Sequence, residues 1–278
     1  MRLTLGFSPC PNDTFIFDAM VHGRIDTEGI EFDYFLADVE ELNQRALASE
    51  ADITKISYHV YSYIAGNYLI LDSGSALGYR NGPLLISKHP VNTLELKDKR
   101  IAIPGKYTTA NLLFSIAWPE ATNKTEYLFS DIEEVLLREE ADAGLLIHET
   151  RFTYQKKGLR KIADLGEYWE NLTGLPIPLG AIVINRKIPE ETALKVNRIL
   201  RRSLEFAMKD SSASYDFVSG NAREMDSTVM NKHIKLYVNE YSLSLGKQGK
   251  DAVEGLFRIA YEKGVIPSLP ERIFLIRE

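Results

Sequence analysis

Residues 3–23 have the sequence LTLGFSPCPNDTFIFDAMVHG, which combines a strand, a turn and a helix in close succession. Leu3–Phe7 is a short apolar run of the length typical of a buried strand. Asp13–His22 has the composition of a helix, and the Gly23 that follows is a common helix-ending signal. This stretch therefore predicts a strand that leads into a helix through a stiff, proline-containing turn.

The strand–helix alternation continues after Gly23. Apolar runs at Ile30–Leu36 and Ala51–Ile56 predict two more strands, and Val39–Ala48 and Tyr58–Ala65 predict two more helices. Because parallel neighbours are joined by crossover helices, this βαβαβα order predicts a parallel sheet.

A second α/β series follows a glycine-containing segment, and the chain then becomes helical. The predicted strands are Pro83–Ser87, Arg100–Pro104, Glu126–Phe129, Ala143–Ile147 and Leu179–Asn185. The predicted helices are Thr109–Trp118, Asp131–Arg138, Glu190–Met208, Asp226–Tyr237 and Gly249–Lys263.

These two series predict an α/β fold of two lobes with a ligand cleft between them. We expect residues 1–88 and 183–278 to form lobe one, which includes the C-terminal helices, and residues 89–182 to form an inserted lobe two. Strands near Pro83–Ser87 and Ala181–Asn185 are expected to pass between the lobes.

The composition favours a globular protein whose partner is a small anionic metabolite. The 278 residues are 45% hydrophobic and 26% charged, with a net charge of −6. No basic stripe suggests a nucleic-acid partner, and no run of about 20 apolar residues suggests a membrane span. The N-terminal run lacks a signal-peptide pattern, so the cytoplasm is the expected compartment. The oligomeric state is left open.

The cysteine count and the motifs predict no cofactor. Cys10 is the only cysteine, so neither an intrachain disulfide nor a cysteine-rich zinc site can form. The Gly105-Lys106 pair lacks the remaining residues of a phosphate loop, since Tyr107 stands where Ser or Thr is needed. His148-Glu149 is not a metalloprotease signature, because Phe152 occupies the position of the second histidine.

Ligands of open parallel sheets bind beyond the carboxyl ends of the strands, and two candidate segments follow the first and third strands. Asn12, at the start of a helix, either contacts a ligand or belongs to an ordinary strand-to-helix turn. Lys55 can balance ligand charge, while Ser57 either donates to a ligand or caps a helix. Cys10 is a poor candidate nucleophile, since no base neighbours it in the sequence.

Two more candidate segments lie in the second series. Thr108, Thr109 and Ala110 begin a helix whose N–H groups suit a carboxylate or hydroxyl, although pure capping is the alternative. His148 follows a strand that is expected to end at the cleft, and histidine is the side chain best suited to proton transfer near neutral pH. His22, His59, His89 and His233 have ordinary structural explanations.

These segments resemble the 1,4-dihydroxy-6-naphthoate synthase family over essentially the whole chain. The similar stretches are Ser8–Phe15, Thr54–Tyr58, Thr108-Thr109, Ile147–Tyr154, Gly174–Gly180 and Tyr237–Asn239. The resemblance implies the fold of type II periplasmic binding proteins, used here as an enzyme.

The resemblance also implies a reaction and site residues. Cyclic dehypoxanthinyl futalosine would be cleaved at a carbon–carbon bond, without a cofactor, on the futalosine route to menaquinone. His148 would be the proton acceptor, and Lys55, Ile56 and Ser57 would line the substrate site together with Thr109 and Ala110. A non-catalytic solute-binding protein and a chorismate dehydratase of similar fold are the alternatives.

Overall fold

The computed structural model describes residues 1–222 and 226–276, which form two β-sheets flanked by helices. The strands are β1 (Arg2–Phe7), β2 (Glu31–Leu36), β3 (Ile53–Ser57), β4 (Tyr68–Ile70), β5 (Ala76–Gly78), β6 (Leu84–Ser87), β7 (Ile101–Ile103), β8 (Lys124–Glu126), β9 (Ala143–Leu146), β10 (Arg160–Asp164) and β11 (Ile177–Asn185). The helices are α1 (Pro11–Val21), α2 (Val39–Leu47), α3 (Tyr58–Ile64), α4 (Thr109–Ala117), α5 (Ile132–Leu137), α6 (Leu165–Thr173), α7 (Glu190–Lys209), α8 (Tyr215–Asn221), α9 (Ser227–Tyr237), α10 (Glu240–Leu243) and α11 (Gly246–Glu262).

The first sheet contains the predicted parallel unit and three antiparallel additions. β1 lies between β2 and β3 and is parallel to both. β11 returns from far along the chain and pairs antiparallel with β3, so that Gly180 lies opposite Ser57. β4 and β5 pair with the other edge of β11. The carboxyl ends of β1 and β3 therefore point to the same edge of this sheet.

The second sheet has the order β10-β6-β9-β7-β8. β7 is parallel to β8 and β9, whereas β6 is antiparallel to β9 and β10. The pairing of Leu84 with Leu146 places the segment before β6 beside the segment after β9. This register brings residues 81–83 and 147–148 to one end of the sheet.

A shared hydrophobic core joins the two sheets. One cluster of buried residues includes Ile56 of the first sheet, Leu145 of the second sheet and Leu113 of α4. A second cluster packs α1 and α7 against the outer face of the first sheet, with Phe17 and Leu204 fully buried. The sheets are therefore held together by packing as well as by the connecting chain.

Most predicted elements begin and end within three residues of the observed ones. The strand predicted at Glu126–Phe129 overlaps least with the observed one, since β8 (Lys124–Glu126) shares only Glu126 with it. β8 is an exposed edge strand, and its pairing with Ile101–Ile103 rather than its apolar content sets its position. α1 begins at Pro11, two residues before the predicted start, because the fixed φ of proline suits the first helical position.

The two strands that were expected to pass between the lobes each pair within a single sheet. β6 pairs only within the second sheet, and β11 pairs only within the first sheet. The connections are instead irregular segments around residues 79–83 and the helix α6. The predicted lobe limits, 1–88 with 183–278 and 89–182, remain a prediction. In the described ranges, no helix has the length and apolarity that a membrane crossing needs.

Candidate active site

One cavity lies where the ends of strands from both sheets face each other. Its enclosed volume is about 90 Å³, below the roughly 300–1,000 Å³ typical of small-molecule sites, and its mouth is open to solvent. The residues that line it are Ser8, Asn12, Asp13, Val39, Lys55, Ile56, Ser57, Ala76, Asn81, Pro83, Thr108, Thr109, Ala110, Ile147, His148, Leu179, Gly180 and Tyr237.

The structure brings every site residue predicted from the sequence to this cavity. These residues come from four distant segments and are Asn12, Lys55, Ile56, Ser57, Thr108, Thr109, Ala110 and His148. Asp13, Asn81 and Tyr237 also line the cavity but were not predicted from the sequence as site residues. Asp13 adjoins Asn12 and Tyr237 lies in a family-like stretch, whereas no sequence signal distinguishes Asn81.

Lys55 forms a buried ion pair with Asp13. The Nζ of Lys55 donates to Asp13 Oδ1 at 3.0 Å, and the two residues are only 6% and 1% exposed. Asp13 Oδ2 also accepts hydrogen bonds from the hydroxyl of Ser8 at 2.7 Å and from its backbone N–H at 3.3 Å. The lysine charge, expected to balance a ligand charge, is therefore already balanced within the protein.

A chain of hydrogen bonds connects this ion pair to His233 on α9. Asn12 Nδ2 donates to Asp13 Oδ1 at 2.7 Å, because an ionised carboxylate can only accept. Asn12 Oδ1 then faces His233 Nε2 at 2.8 Å, so His233 must carry its proton on Nε2. Complete burial lowers the pKa of His233 well below its usual value, and the nearby His148, Arg151 and Lys55 add to this effect. His233 is therefore neutral, and it supports the cavity residue Asn12 from behind, a contact that the sequence did not reveal.

His148 has an unusual backbone conformation at the edge of the cavity. β9 ends at Leu146, and His148 begins a 3-10 turn with φ of +58°, a left-handed conformation that costs energy for a non-glycine residue. Such strain is common at functional sites. This conformation, rather than a simple strand end, places the imidazole at the cavity.

The contacts of the His148 ring leave one nitrogen available. The ring packs edge-on against Phe129, with centroids 4.8 Å apart, and lies 6.1 Å from the ring of His233. Nδ1 is 3.5 Å from the sulfur of Cys10, although 138 positions separate the two residues in sequence. In the folded chain, Cys10 therefore does have a base nearby, contrary to the expectation from the sequence. Nε2 is buried and has no hydrogen-bond partner among the described residues.

The two threonines at the start of α4 use their hydroxyls within the fold. Thr108 accepts from the N–H of Asn111 and donates to the carbonyl of Gly105, so its hydroxyl is a helix cap. Thr109 donates to the carbonyl of Leu179 at 2.6 Å and accepts from the N–H of Tyr58 at 2.9 Å. The groups left for a ligand at this point are the first backbone N–H groups of α4, which have no intrahelical acceptor.

Ser57 presents a hydroxyl at the end of β3. Its Oγ accepts from Asn43 Nδ2 at 3.2 Å, and its backbone N–H donates to Asn43 Oδ1 at 2.9 Å. The two hydrogen bonds from Asn43 therefore fix the orientation of Ser57. Because the Ser57 hydroxyl accepts from Asn43, its own hydrogen is left to donate to a ligand in the cavity. Within the described ranges, no group of three or more His, Cys, Asp or Glu side chains is arranged to hold a metal ion.

The chain is similar to known proteins over nearly its whole length. The chain is 40% identical to a 1,4-dihydroxy-6-naphthoate synthase of Thermus thermophilus over 98% of this chain and 99% of the relative. It is also 40% identical to a 1,4-dihydroxy-6-naphthoate synthase of Streptomyces coelicolor, over 96% of this chain and 95% of the relative.

Solved structures confirm the predicted fold class. A crystal structure of an Archaeoglobus fulgidus protein matches with a TM-score of 0.90 and 35% identity, over 95% of this chain and 98% of that one. The alkanesulfonate-binding protein of Xanthomonas axonopodis pv. citri matches with a TM-score of 0.72 and 14% identity, over 98% and 97% of the two chains, which shows a shared fold alone. The model of the family described as "Menaquinone biosynthesis" matches residues 3–262. From its sequence and its periplasmic-binding-protein-like α/β fold, this chain belongs to the menaquinone biosynthesis family.

Proposed function

We propose that this protein is a 1,4-dihydroxy-6-naphthoate synthase, a lyase of the futalosine route to menaquinone. It would cleave a carbon–carbon bond of cyclic dehypoxanthinyl futalosine and release 1,4-dihydroxy-6-naphthoate and dihydroxyacetone. The observation that carries the proposal is the buried, unpartnered Nε2 of His148 in a cavity that also contains the other predicted site residues. Relatives with this name share 40% of their residues with the chain over nearly its whole length.

In the proposed mechanism, His148 is the general base. This role requires the tautomer in which Nδ1, 3.5 Å from the Cys10 sulfur, carries the hydrogen, so that the lone pair of Nε2 can accept a proton from the bound substrate. A suitably placed base typically raises the rate by about 10²–10⁴-fold. Formation of the aromatic ring of the product supplies the driving force for bond cleavage.

Negative charge that develops on the substrate oxygens needs hydrogen-bond donors. The first N–H groups of α4, at Thr109 and Ala110, point along a helix axis whose N-terminus carries partial positive charge. The Ser57 hydroxyl, oriented by Asn43, is a further donor. Because Lys55 is paired with Asp13, we assign it the role of holding the cavity wall rather than binding the substrate directly.

The proposal includes a small anionic substrate, no nucleic-acid or membrane partner, no cofactor and a cytoplasmic location. A second candidate function, binding of a solute without turnover, is favoured by one observation, the likeness to the fold of an alkanesulfonate-binding protein. The two functions differ in whether the ligand is consumed.

The decisive experiment incubates the purified protein with cyclic dehypoxanthinyl futalosine and, in parallel, with chorismate. Equal amounts of 1,4-dihydroxy-6-naphthoate and dihydroxyacetone, formed from the first compound alone, would support the proposal. Consumption of chorismate, or binding without turnover, would contradict it.

Cofactor independence is tested with the same assay. Exhaustive dialysis against a strong chelator should leave turnover unchanged, because the proposed proton transfer uses only protein groups. Loss of turnover that a single metal ion restores would show this part of the proposal to be wrong.

A further inference from the structure

Two residues that line the cavity have a buried side-chain polar atom without a hydrogen-bond partner in the described part of the chain. One is His148, through Nε2, and the other is Asn81, through Oδ1. Asn81 is 0% exposed and has no part in the mechanism above. A buried acceptor without a partner costs about 1–3 kcal/mol, so native proteins rarely retain one without a reason.

Asn81 lies at the same end of the cavity as His148. It belongs to the segment that connects β5 to β6, and the pairing of Leu84 with Leu146 brings this segment beside Ile147 and His148. A ligand group that reaches the base would therefore also lie near Asn81.

The backbone around Asn81 is held firmly in place. Arg80 adopts a left-handed conformation, with φ of +58°, and its carbonyl accepts from Arg151 Nη2 at 3.1 Å. The backbone N–H of Arg80 donates to the carboxylate of Glu170. Gly82 lies so close to Gly166 that a Cβ there would be 2.1 Å from the Gly166 nitrogen. The contacts of Arg80 and Gly82 therefore fix the backbone position of Asn81.

The orientation of the Asn81 amide follows from its neighbours. Nδ2 faces the carbonyl of Leu236 at 3.5 Å, and Leu236 does not line the cavity. The absence of a side chain at Gly78 makes room for this amide, because a Cβ at Gly78 would lie 2.8 Å from Nδ2. With Nδ2 turned to Leu236 of α9, Oδ1 is the amide atom that is left without a hydrogen-bond partner in the described part of the chain.

We infer that Asn81 Oδ1 accepts a hydrogen bond from a hydroxyl group of the bound ligand, next to the atom from which His148 takes a proton. An acceptor oxygen excludes carboxylate and other anionic oxygens as its partner, so the matching group must be a hydrogen-bond donor. The choice of a hydroxylated substrate rests on the proposed function. A buried group of this kind discriminates strongly against analogues that lack the hydroxyl, because it is then left without a partner.

The test compares Asn81→Leu with Asn81→Ala and with a control, Asn197→Leu. Asn197 is also buried, but its Oδ1 accepts from the N–H groups of Asp72 and Ser73, and it does not line the cavity. For cyclic dehypoxanthinyl futalosine, we expect kcat/KM to fall at least about ten-fold in both Asn81 variants. The melting temperature of ligand-free Asn81→Leu should equal or exceed that of the wild type. Asn197→Leu should melt several degrees lower, while its folded fraction keeps the wild-type kcat/KM.

The outcomes that overturn the inference are separate from failure of the proposed function, which is judged on the wild-type protein alone. If Asn81→Leu melts as low as Asn197→Leu, the Asn81 amide is satisfied within the fold, and this result needs no substrate. If kcat/KM stays within two-fold of the wild type, or falls only in the leucine variant through crowding, Asn81 does not bind a ligand hydroxyl.

Discussion

His148 combines a strained backbone with a lone pair that no described residue uses. We predict that His148→Asn lowers kcat by about 10²–10⁴-fold and leaves substrate affinity nearly unchanged, because proton acceptance matters chiefly in the transition state. Steady-state kinetics, with separate binding measurements, check both effects.

The matched control for this variant is His89→Asn. His89 lies in a loop and its side chain is 69% exposed, so its replacement should not alter kcat. If His148→Asn keeps most of its turnover, His148 is a binding or structural residue and another group must act as the base.

Thr109 illustrates how hydrogen-bond geometry changes an expectation drawn from sequence. Its position at a helix start predicts ligand contact, but its hydroxyl bridges the carbonyl of Leu179 and the N–H of Tyr58. We therefore predict that Thr109→Val lowers the free energy of unfolding by about 1–3 kcal/mol, since two buried backbone groups lose their partner. Thr109→Ser, which keeps the hydroxyl, should stay close to the wild type in the same denaturant titration. If Thr109→Val instead raises KM strongly while the free energy of unfolding changes little, the Thr109 hydroxyl contacts the ligand directly.

The candidate residues were predictable one at a time, but their partners were not. Strand-end position and helix-start chemistry were sufficient to select Asn12, Ser57, Thr109 and His148. The contacts that orient them span 138 positions for Cys10 and His148 and 221 positions for Asn12 and His233. Such pairs depend on the packing of whole elements, which no local pattern encodes.

At the scale of elements, α2 and the turn before α4 meet next to the cavity, which Val39 and Thr108 line. Glu40, in the first turn of α2, accepts from the backbone N–H of Tyr107 with both carboxylate oxygens at 3.2 Å. Burial raises the pKa of Glu40, and the hydrogen bonds from Asn43, Tyr107 and Gln44 oppose this effect. Gly105, with φ of +140°, lets the turn approach Glu40 this closely.

Gly105→Ala should disrupt this contact between the elements. A Cβ at Gly105 would lie 2.5 Å from Glu40 Cγ and Oε2, so the glutamate must move away from the Tyr107 N–H. We predict a higher KM as well as a loss of about 1–3 kcal/mol of stability, since α4 then loses its fixed position at the cavity.

The control for Gly105→Ala is Gly158→Ala. Gly158 also has positive φ, at +80°, but a Cβ there would meet nothing within 4 Å. This control also places a side chain at a positive φ, but without the collision, so it should lower stability and leave KM unchanged. Equal KM values in the two variants would show that the contact with Glu40 does not support the site.

At the scale of the whole molecule, local pattern predicted the parallel units and missed the antiparallel additions. β1, β2 and β3 were predictable because each is an uninterrupted apolar or alternating run followed by a helix. β4 and β5 have only three residues each, too few for a periodic signal. The placement of β11 beside β3 depends on pairing across more than 100 residues, so the sequence could not assign it to a sheet.

Burial of histidines also makes the stability of the whole molecule depend on pH. Burial lowers the pKa of His59 to about 4, partly opposed by the hydrogen bond with the Thr108 carbonyl. The unfolded chain binds a proton on this residue below pH 6.5, whereas the folded chain stays neutral down to about pH 4. The contribution of neutral His59 is therefore fully present above pH 6.5 and is lost as the pH falls toward 4.

We predict that the free energy of unfolding decreases by roughly 2 kcal/mol between pH 7 and pH 5 because of His59 alone. His59→Gln, which stays neutral at every pH, should show a slope shallower by about one proton near pH 5.5 than the wild type. Urea titrations at intervals of half a pH unit measure these slopes, and calorimetry in two buffers of different ionisation enthalpy counts the protons taken up on unfolding.

His233, which is fully buried, should add to the wild-type slope in the same direction, and its contribution should remain in the His59→Gln protein. Parallel slopes for the wild type and His59→Gln would mean that His59 is already protonated in the folded chain, or that the surrounding helix opens before global unfolding.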